Sequence, residues 1–353
     1  MTHPEFSGKR VLVVGGAGFV GSNLSHMLLQ SDVKSLTIVD NFMSSEQVNI
    51  PTDPRTHLIP GSIADDFVLQ QVPADIDYVW HLACYHGNQS SIFDPIADHD
   101  NNNITSLKLF ECLSHRNNVT KVVYSAAGCA VAEKTYGEPT ATLEDAPVSL
   151  FHDSPYSISK LVGEMYGNYF FTRTGMPFVK ARFQNVYGPR EILGAGQWRG
   201  TYATVWRNVT PTFIWKSLNG ESLPLDNGGE VSRDFIFVDD ICRGLIACAI
   251  GGKPGEAYNI ASGAETTIRE LAEAITKTTG NIAPLDIRPA REWDKSGRRF
   301  GSTEKSRREL GFEARVSIAE GIERTVQWTK DNQSVISRCI DKHEEQMRAV
   351  TSL

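Results

Sequence analysis

Two side chains four positions apart carry the first chemical signal in this chain: Tyr156 and Lys160, in the run Tyr156-Ser157-Ile158-Ser159-Lys160. At the start of a helix that spacing places both on one face. An ammonium group beside a phenol favours the phenolate and lowers its pKa. Such a pair can exchange a proton with a substrate hydroxyl. The spacing alone recurs by chance in many helices, so its meaning depends on what stands upstream.

Upstream is a glycine-rich turn, Gly15-Gly16-Ala17-Gly18-Phe19-Val20-Gly21, after a β-branched run and before a helix-like stretch. Gly15, Gly18 and Gly21 permit a tight turn, close approach of backbone to a pyrophosphate, and close helix–strand packing. The amides at Phe19 and Val20, at the helix N-terminus, face a bound phosphate with the positive end of the helix dipole. Asp40 ends the next apolar run, where a carboxylate bonds both ribose hydroxyls of NAD and repels a 2′-phosphate. Strand, turn, helix, strand and acid fall in the order that gives the glycine pattern its meaning. The expected cofactor is NAD, with Tyr156 and Lys160 beside its nicotinamide.

These groups need elements to position them. Lys9–Val14, Leu36–Asp40, His57–Pro60, Asp77–Leu82, Lys121–Ser125 and Phe178–Phe183 read as buried strands. Helices are expected over Ser22–Gln30, Ile92–Arg116 and Ser157–Thr172. Strands alternating with helices predict an α/β fold, a doubly wound parallel sheet of the Rossmann type with right-handed crossovers. The alternation breaks after Asn185. Residues 190–232 are rich in Gly, Trp and Thr; Val231–Val238 and Ala257–Ile260 are expected to rejoin the sheet, and Thr267 to cap a helix through Thr278. The expected organisation is a dinucleotide-binding domain over 1–189. A smaller substrate-binding lobe follows over 190–335, from which 231–262 returns to the first domain, and a polar tail over 336–353 forms a surface helix or is disordered.

Composition narrows the function. The 353 residues carry a net charge of −7, which argues against a nucleic-acid partner. The six cysteines, at 84, 112, 129, 242, 248 and 339, form no CxxC pair, so no metal site is expected. No apolar run is long enough for a membrane span and the first residues lack a signal-peptide core, so a reducing cytoplasm is expected.

At this point the chain resembles the extended short-chain dehydrogenase/reductases, specifically the NAD-dependent nucleotide-sugar epimerases and dehydratases. The resemblance covers about residues 8–330 and rests on GGAGFVG at 15–21, Asp40-Asn41, HLA at 81–83, YxxxK at 156–160, RFQNVYGPR at 182–190, SRDFIFVDD at 232–240, YNIASG at 258–263 and RRELGF at 307–312. It implies that Asp40 and Asn41 meet the adenosine ribose, Ile63 packs against adenine, and Leu82 and Ala83 line the cofactor. Asn102 matches a family asparagine, although Asn101 and Asn103 leave the register open. Asn185 would contact the nucleotide-sugar, and Arg233 and Arg291 would grip its pyrophosphate, to which a planar guanidinium donates two bonds at once.

The chain departs from the family in three places. The acid usual after the third strand is Ser62, so adenine is held differently or Asp65 substitutes. The usual Ser or Thr beyond the fifth strand is Ala127, so either Ser125 takes over through a bulge or the site lacks that hydroxyl. The acidic residues of dehydratases and decarboxylases are replaced by Gly128 and Cys129, which argues against 4,6-dehydration and uronic acid decarboxylation. Cys129 and the run Trp198-Arg199-Gly200 give a partial similarity to GDP-mannose 3,5-epimerase, in which a cysteine at the first place is an acid/base. That enzyme has a lysine where this chain has Arg199, and arginine is a poor general acid. Cys129 is therefore a candidate base or a small packed residue, and Arg199 a candidate substrate ligand.

The expected activity is epimerisation of a nucleotide-diphosphate sugar through transient oxidation to a keto intermediate. A dehydratase or ketoreductase is one alternative, and a non-catalytic NAD-binding protein another. A homodimer built on the two long helices is expected by analogy with the family.

Overall fold

In a computed structural model of the chain, residues 2–131, 135, 137–290 and 297–351 are described, with only the backbone given for Cys129 and Thr351. The first half alternates as the sequence predicts: β1 (Arg10–Val14), α1 (Phe19–Leu28), β2 (Ser35–Asp40), β3 (Thr56–Pro60), α2 (Asp66–Gln70) and β4 (Tyr78–His81). Then come α3 (Asn88–Phe93), α4 (Pro95–His99), α5 (Thr105–Ser114), β5 (Lys121–Ala127), α6 (Pro155–Thr174) and β6 (Phe178–Phe183). The second half holds β7 (Asn185–Tyr187), α7 (Val209–Leu218), β8 (Pro224–Asp226), β9 (Ser232–Arg233), β10 (Phe235–Phe237), α8 (Val238–Gly251) and β11 (Ala257–Ile260). It ends with β12 (Thr266–Thr267), α9 (Ile268–Thr279), β13 (Asp286–Arg288), α10 (Glu304–Leu310), α11 (Ile318–Asp331), α12 (Gln333–Asp341) and α13 (Glu344–Thr351).

Seven strands form one parallel sheet in the order β11-β6-β5-β4-β1-β2-β3. Side-chain alternation along β1 divides the core in two. Val11 and Val13 pack with Leu24 and Leu28 of α1 and Ile241 and Leu245 of α8; Leu12 and Val14 pack with Leu109 and Phe110 of α5 and Phe170 of α6. Because both faces are covered, the strands read as continuous apolar runs, which is why the sequence reveals them. The order reverses beside β1, so a crevice opens past the carboxyl ends of β1 and β4, where doubly wound folds bind ligands.

The structure corrects the sequence reading in three elements. The helix expected over Ile92–Arg116 is broken. Asp94 ends α3 and caps α4 by accepting from the Ala97 amide at 2.9 Å, with Pro95 at the first helical position. A π-helical turn over Asp100–Ile104 then separates α4 from α5. The expected strand over Val231–Val238 is divided between β9, which pairs with β12, and β10, which pairs with β7; only Ala257–Ile260 joins the large sheet. Finally, the last residues form α12 and α13 with a definite task. Ile336 and Cys339 pack on Ile192, Leu193 and Ala195, and the His343 ring Nε2 lies 3.0 Å from the Gly194 carbonyl. The irregular 190–207 segment is thereby held down from behind. From the other side its Gln197 amide bonds the Met43 carbonyl at 2.9 Å, next to Asp40.

Candidate active site

The glycine turn closes at the end of β1. Gly15 has φ +85, and an added Cβ there would lie 2.6 Å from the Ala83 nitrogen, so the β1 and β4 termini approach as only glycine allows. The N-cap of α1 is Gly18, without a capping side chain, which leaves the first amides of the helix at Phe19 and Val20 for an anion. The Asp40 carboxylate stands at the end of β2, 8% exposed, accepting from the Ala17 amide at 2.9 Å, the Phe42 amide at 2.9 Å and Ser45 Oγ at 2.8 Å. Asn41 Oδ1 accepts from the Met43 amide at 3.1 Å and shapes the following turn. Leu82 and Ala83 both donate to the Val14 carbonyl at the mouth of the crevice, and Ile63 is buried in the core after β3. Asp65, the alternative acid after that strand, instead caps α2 through the Phe67 amide at 2.8 Å.

Tyr156 and Lys160 sit at the start of α6. Ser154 caps that helix and Pro155 opens it, because proline's missing N–H would have no partner there. Lys160 is 3% exposed; its Nζ donates to the Ser125 carbonyl at 2.9 Å and to Ser125 Oγ at 3.4 Å, and lies 5.9 Å from the Tyr156 ring centroid. The ammonium thus faces the phenol ring from the end of β5.

Ser125 Oγ donates to the His81 carbonyl at 3.1 Å. Strand β5 continues in regular register with β6 through Ala127, opposite Phe183, so the bulge that would move Ser125 forward is absent. Ala127 itself packs with Ala130, Val131, Leu161 and Tyr156, which places a methyl group at the family's hydroxyl position. The Cys129 side chain and Arg291 lie outside the described residues.

The π turn sets the three asparagines to different partners. Asn102 is 2% exposed; its Oδ1 accepts from the Tyr85 amide at 2.7 Å and its Nδ2 donates to Asp98 Oδ1 at 2.8 Å and Ser159 Oγ at 3.0 Å. Asn101 instead bonds the Ala97 carbonyl and Asn103 the His99 ring. Asn102 therefore ties the loop after β4 to the helix carrying Tyr156 and Lys160. Burial pushes the Asp98 carboxyl up to about 6, against the pull of Ser159 and Lys160. Unfolded, it ionises near its ordinary value of about 4. The folded state holds this proton more tightly, so its contribution is complete at low pH and is lost as pH rises from about 4 to about 6. Asp98→Asn is expected to flatten that part of the stability curve by roughly 2–3 kcal/mol. Urea unfolding at the two ends of the window measures it, and an unchanged slope would remove Asp98 as its source.

Sequence reasoning missed His86, in the loop that follows HLA. Its ring packs edge-on to Tyr156, centroids 5.8 Å apart. Burial first, then Arg199, Arg207 and Lys160, depress its pKa to about 3, so it is a neutral imidazole at physiological pH. Its position three residues beyond Ala83 was the available signal.

Arg199 reaches the same place from the 190–207 segment. It is 6% exposed, donates from Nη1 to the His86 carbonyl at 2.7 Å, and lies 5.3 Å from the Tyr85 ring centroid. Among the substrate candidates on the far side, Arg233 is buried in β9 and donates from Nη1 to the Ser232 and Gly297 carbonyls, each at 2.6 Å. Asn185 begins β7 and is exposed; its amide donates to the Asp234 carbonyl at 2.9 Å. Tyr156, Lys160, Ser125, Asn102 and Arg199 thus meet at one place, with the glycine turn and Asp40 along the same crevice. Among the described residues no group of three or more His, Cys, Asp or Glu could hold a metal ion, and no helix is long and apolar enough to cross a membrane.

Similar proteins are known along most of the chain. The UDP-glucose 4-epimerase of Mycolicibacterium smegmatis is 30% identical over 328 residues, covering 91% of this chain and 99% of that protein. The dTDP-glucose 4,6-dehydratase of Streptomyces antibioticus is 28% identical over 334 residues, covering 92% and 93%. Among solved structures, the Bordetella bronchiseptica enzyme WbmF in complex with NAD+ superposes with a TM-score of 0.88 at 53% identity, over 98% of this chain and 99% of that one. WbmF has also been solved with NAD+ and UDP, at the same TM-score of 0.88 and 54% identity over 98% and 99%. The profile described as "NAD dependent epimerase/dehydratase family" matches residues 11–261, and the chain belongs to that family.

Proposed function

We propose that this chain is a nucleotide-sugar epimerase that oxidises one sugar carbon transiently and re-reduces it, with NAD as its resident cofactor. The observation that carries this is the buried Lys160 ammonium set between Ser125 and the Tyr156 ring at the mouth of the parallel sheet. NAD fits the residues present. The uncapped α1 N-terminus suits its pyrophosphate, the close β1–β4 approach at Gly15 leaves that turn bare of side chains, and Asp40 stands where the ribose hydroxyls would bond. When bound, NAD supplies hydride acceptance and return.

The chain's own groups manage the proton and the pose. Tyr156 takes the proton of a sugar hydroxyl and later returns it. Lys160, fixed by two bonds to Ser125, keeps positive charge beside the phenol and favours its ionised form. Asn102 holds the Tyr85–His86 loop against α6. In this reading Arg233 and Asn185 hold the nucleotide end of the substrate, and the match to WbmF with UDP supports a uridine nucleotide.

Epimerisation is favoured over dehydration by Gly128. It offers no carboxylate, and a Cβ there would lie 2.3 Å from Gln184 Nε2, so even a small side chain would displace that amide. Incubation of the protein with a panel of UDP-, dTDP-, GDP- and CDP-sugars, followed by mass spectrometry, tests this. The expected product has the mass of the substrate and a different retention time; a product lighter by one water would establish a dehydratase instead.

The assembly is proposed to be a homodimer through α6. Ile158, Met165 and Tyr169 recur on one face of that helix and are 49%, 60% and 58% exposed, and Phe93 and Ile96 of α3 and α4 are 61% and 69% exposed. Large apolar residues in such a band mark an interface. Sedimentation should give twice the chain mass, and Met165→Glu with Tyr169→Glu should give the monomer. A wild-type monomer at micromolar concentration would contradict the assignment.

A further inference from the structure

Arg199 is a buried cation with no salt-bridge partner among the described residues. Its backbone amide bonds Thr204 Oγ1 at 3.0 Å and its Nη1 the His86 carbonyl, but Nε and Nη2 have no hydrogen-bond partner among the described residues. Leaving two guanidinium donors dry and unpaired is costly, and native structures avoid it unless a ligand completes the site. Its neighbour Arg207 does not share this condition to the same degree, since its two Nη atoms donate to the Ser44 and Ala195 carbonyls at 3.2 and 2.7 Å. Among the described residues neither arginine has a salt-bridge partner. His86 is an uncharged ring, and the Glu191 carboxyl, which acts on Arg207, is raised to about 7 by burial and bonded to Asn208.

Position then decides what the missing partner is. Arg207 is tied to Ser44, on the Asp40 side of the crevice. Arg199 is tied to Tyr85 and His86, and the His86 ring touches Tyr156. The two unpaired donors of Arg199 are therefore buried beside the loop that packs on Tyr156, next to the reacting sugar in this reading, whereas Arg233, the candidate for the substrate diphosphate, sits on β9. On a hexose ring the ordinary anionic substituent is a carboxylate at C6, one carbon removed from the ring. A guanidinium fork matches a carboxylate with two parallel bonds.

We propose that Arg199 binds the carboxylate of a nucleotide-linked uronic acid, and that this enzyme selects acidic sugars over neutral hexoses. The inference rests on reading the crevice as a nucleotide-sugar site. Arginine replaces a proton-transferring lysine here because its task is to hold charge.

Calorimetric titration of the NAD-loaded protein with UDP, UDP-glucose, UDP-galactose, UDP-glucuronate and UDP-galacturonate tests it by binding, independently of any reaction. At least one uronate is expected to bind about tenfold to a hundredfold more tightly than the matching hexose. Arg199→Gln should remove that preference, leaving the affinity for UDP and the retained dinucleotide unchanged. Arg199→Lys, which keeps charge without the fork, should keep part of it. Equal affinity for uronate and hexose in the wild type, with UDP bound, would overturn this inference alone. Loss of bound dinucleotide from Arg199→Gln would reassign the donors to the cofactor's phosphates. Failure of UDP itself to bind would overturn both this inference and the reading beneath it.

Discussion

Tyr156→Phe is expected to lower kcat by about 10²- to 10⁴-fold, the range of a positioned acid–base group. The ring should stay in place, since its contacts with Ala127, Leu161 and the edge of His86 are apolar or through the ring face. Lys160 keeps both bonds to Ser125, neither of which uses the phenol oxygen. Folding and dinucleotide retention should accordingly match the wild type. Initial rates on the active sugar, together with the dinucleotide released on denaturation, separate the two properties. A variant within a few-fold of the wild-type rate would remove Tyr156 from the chemistry, and loss of the dinucleotide would show that the phenol's role is in binding.

Gly21→Ala is the second large effect, and it acts on the turn. An added Cβ would stand 2.0 Å from the Gly15 carbonyl oxygen and 2.8 Å from both Gly15 C and Gly16 Cα. All three are backbone atoms of the turn itself, and Gly15 is in turn pressed against Ala83. The strain cannot be relieved by a side-chain rotation, so α1 must move away from β1. Overpacking of this kind costs about 1–3 kcal/mol in stability. The larger loss is expected in cofactor retention, because the α1 amides and the turn would no longer face one anion. Purified variant protein should carry far less dinucleotide than wild type and melt at a lower temperature. Full retention would mean that the turn does not hold the pyrophosphate.

What could be read in the sequence follows from how local the cause is. The sheet was legible because strands buried on both faces are mostly apolar in runs, as in Val11–Val14 of β1 and Leu36–Val39 of β2, where only Thr37 interrupts. The glycine turn with Asp40 and the Tyr156–Lys160 pair were legible because each depends on fixed spacing within one or two elements. Elements that depend on distant contacts were not. The break in the expected 92–116 helix has a local sign in Asp94-Pro95, but the π turn that aims Asn102 inward is fixed by Tyr85, Asp98 and Ser159 from three different segments. The order of the 190–207 segment comes from α12 and α13 more than 130 positions later, joined through Ile336, Cys339 and His343. The setting of His86 and the unpaired buried donors of Arg199 emerge only when the loop after β4 meets that segment. The regular register of β5 at Ala127 likewise depends on its pairing with β6.

The account centres on a sugar oxidised and re-reduced in one closed cycle beside Tyr156 and Lys160. The most direct measurement follows the redox state of the bound dinucleotide while the purified protein, without added cofactor, converts an excess of nucleotide-sugar. The account predicts many equivalents of isomer per protein, with the dinucleotide oxidised at the start and at the end. Conversion that stops after one equivalent and leaves the dinucleotide reduced would contradict it.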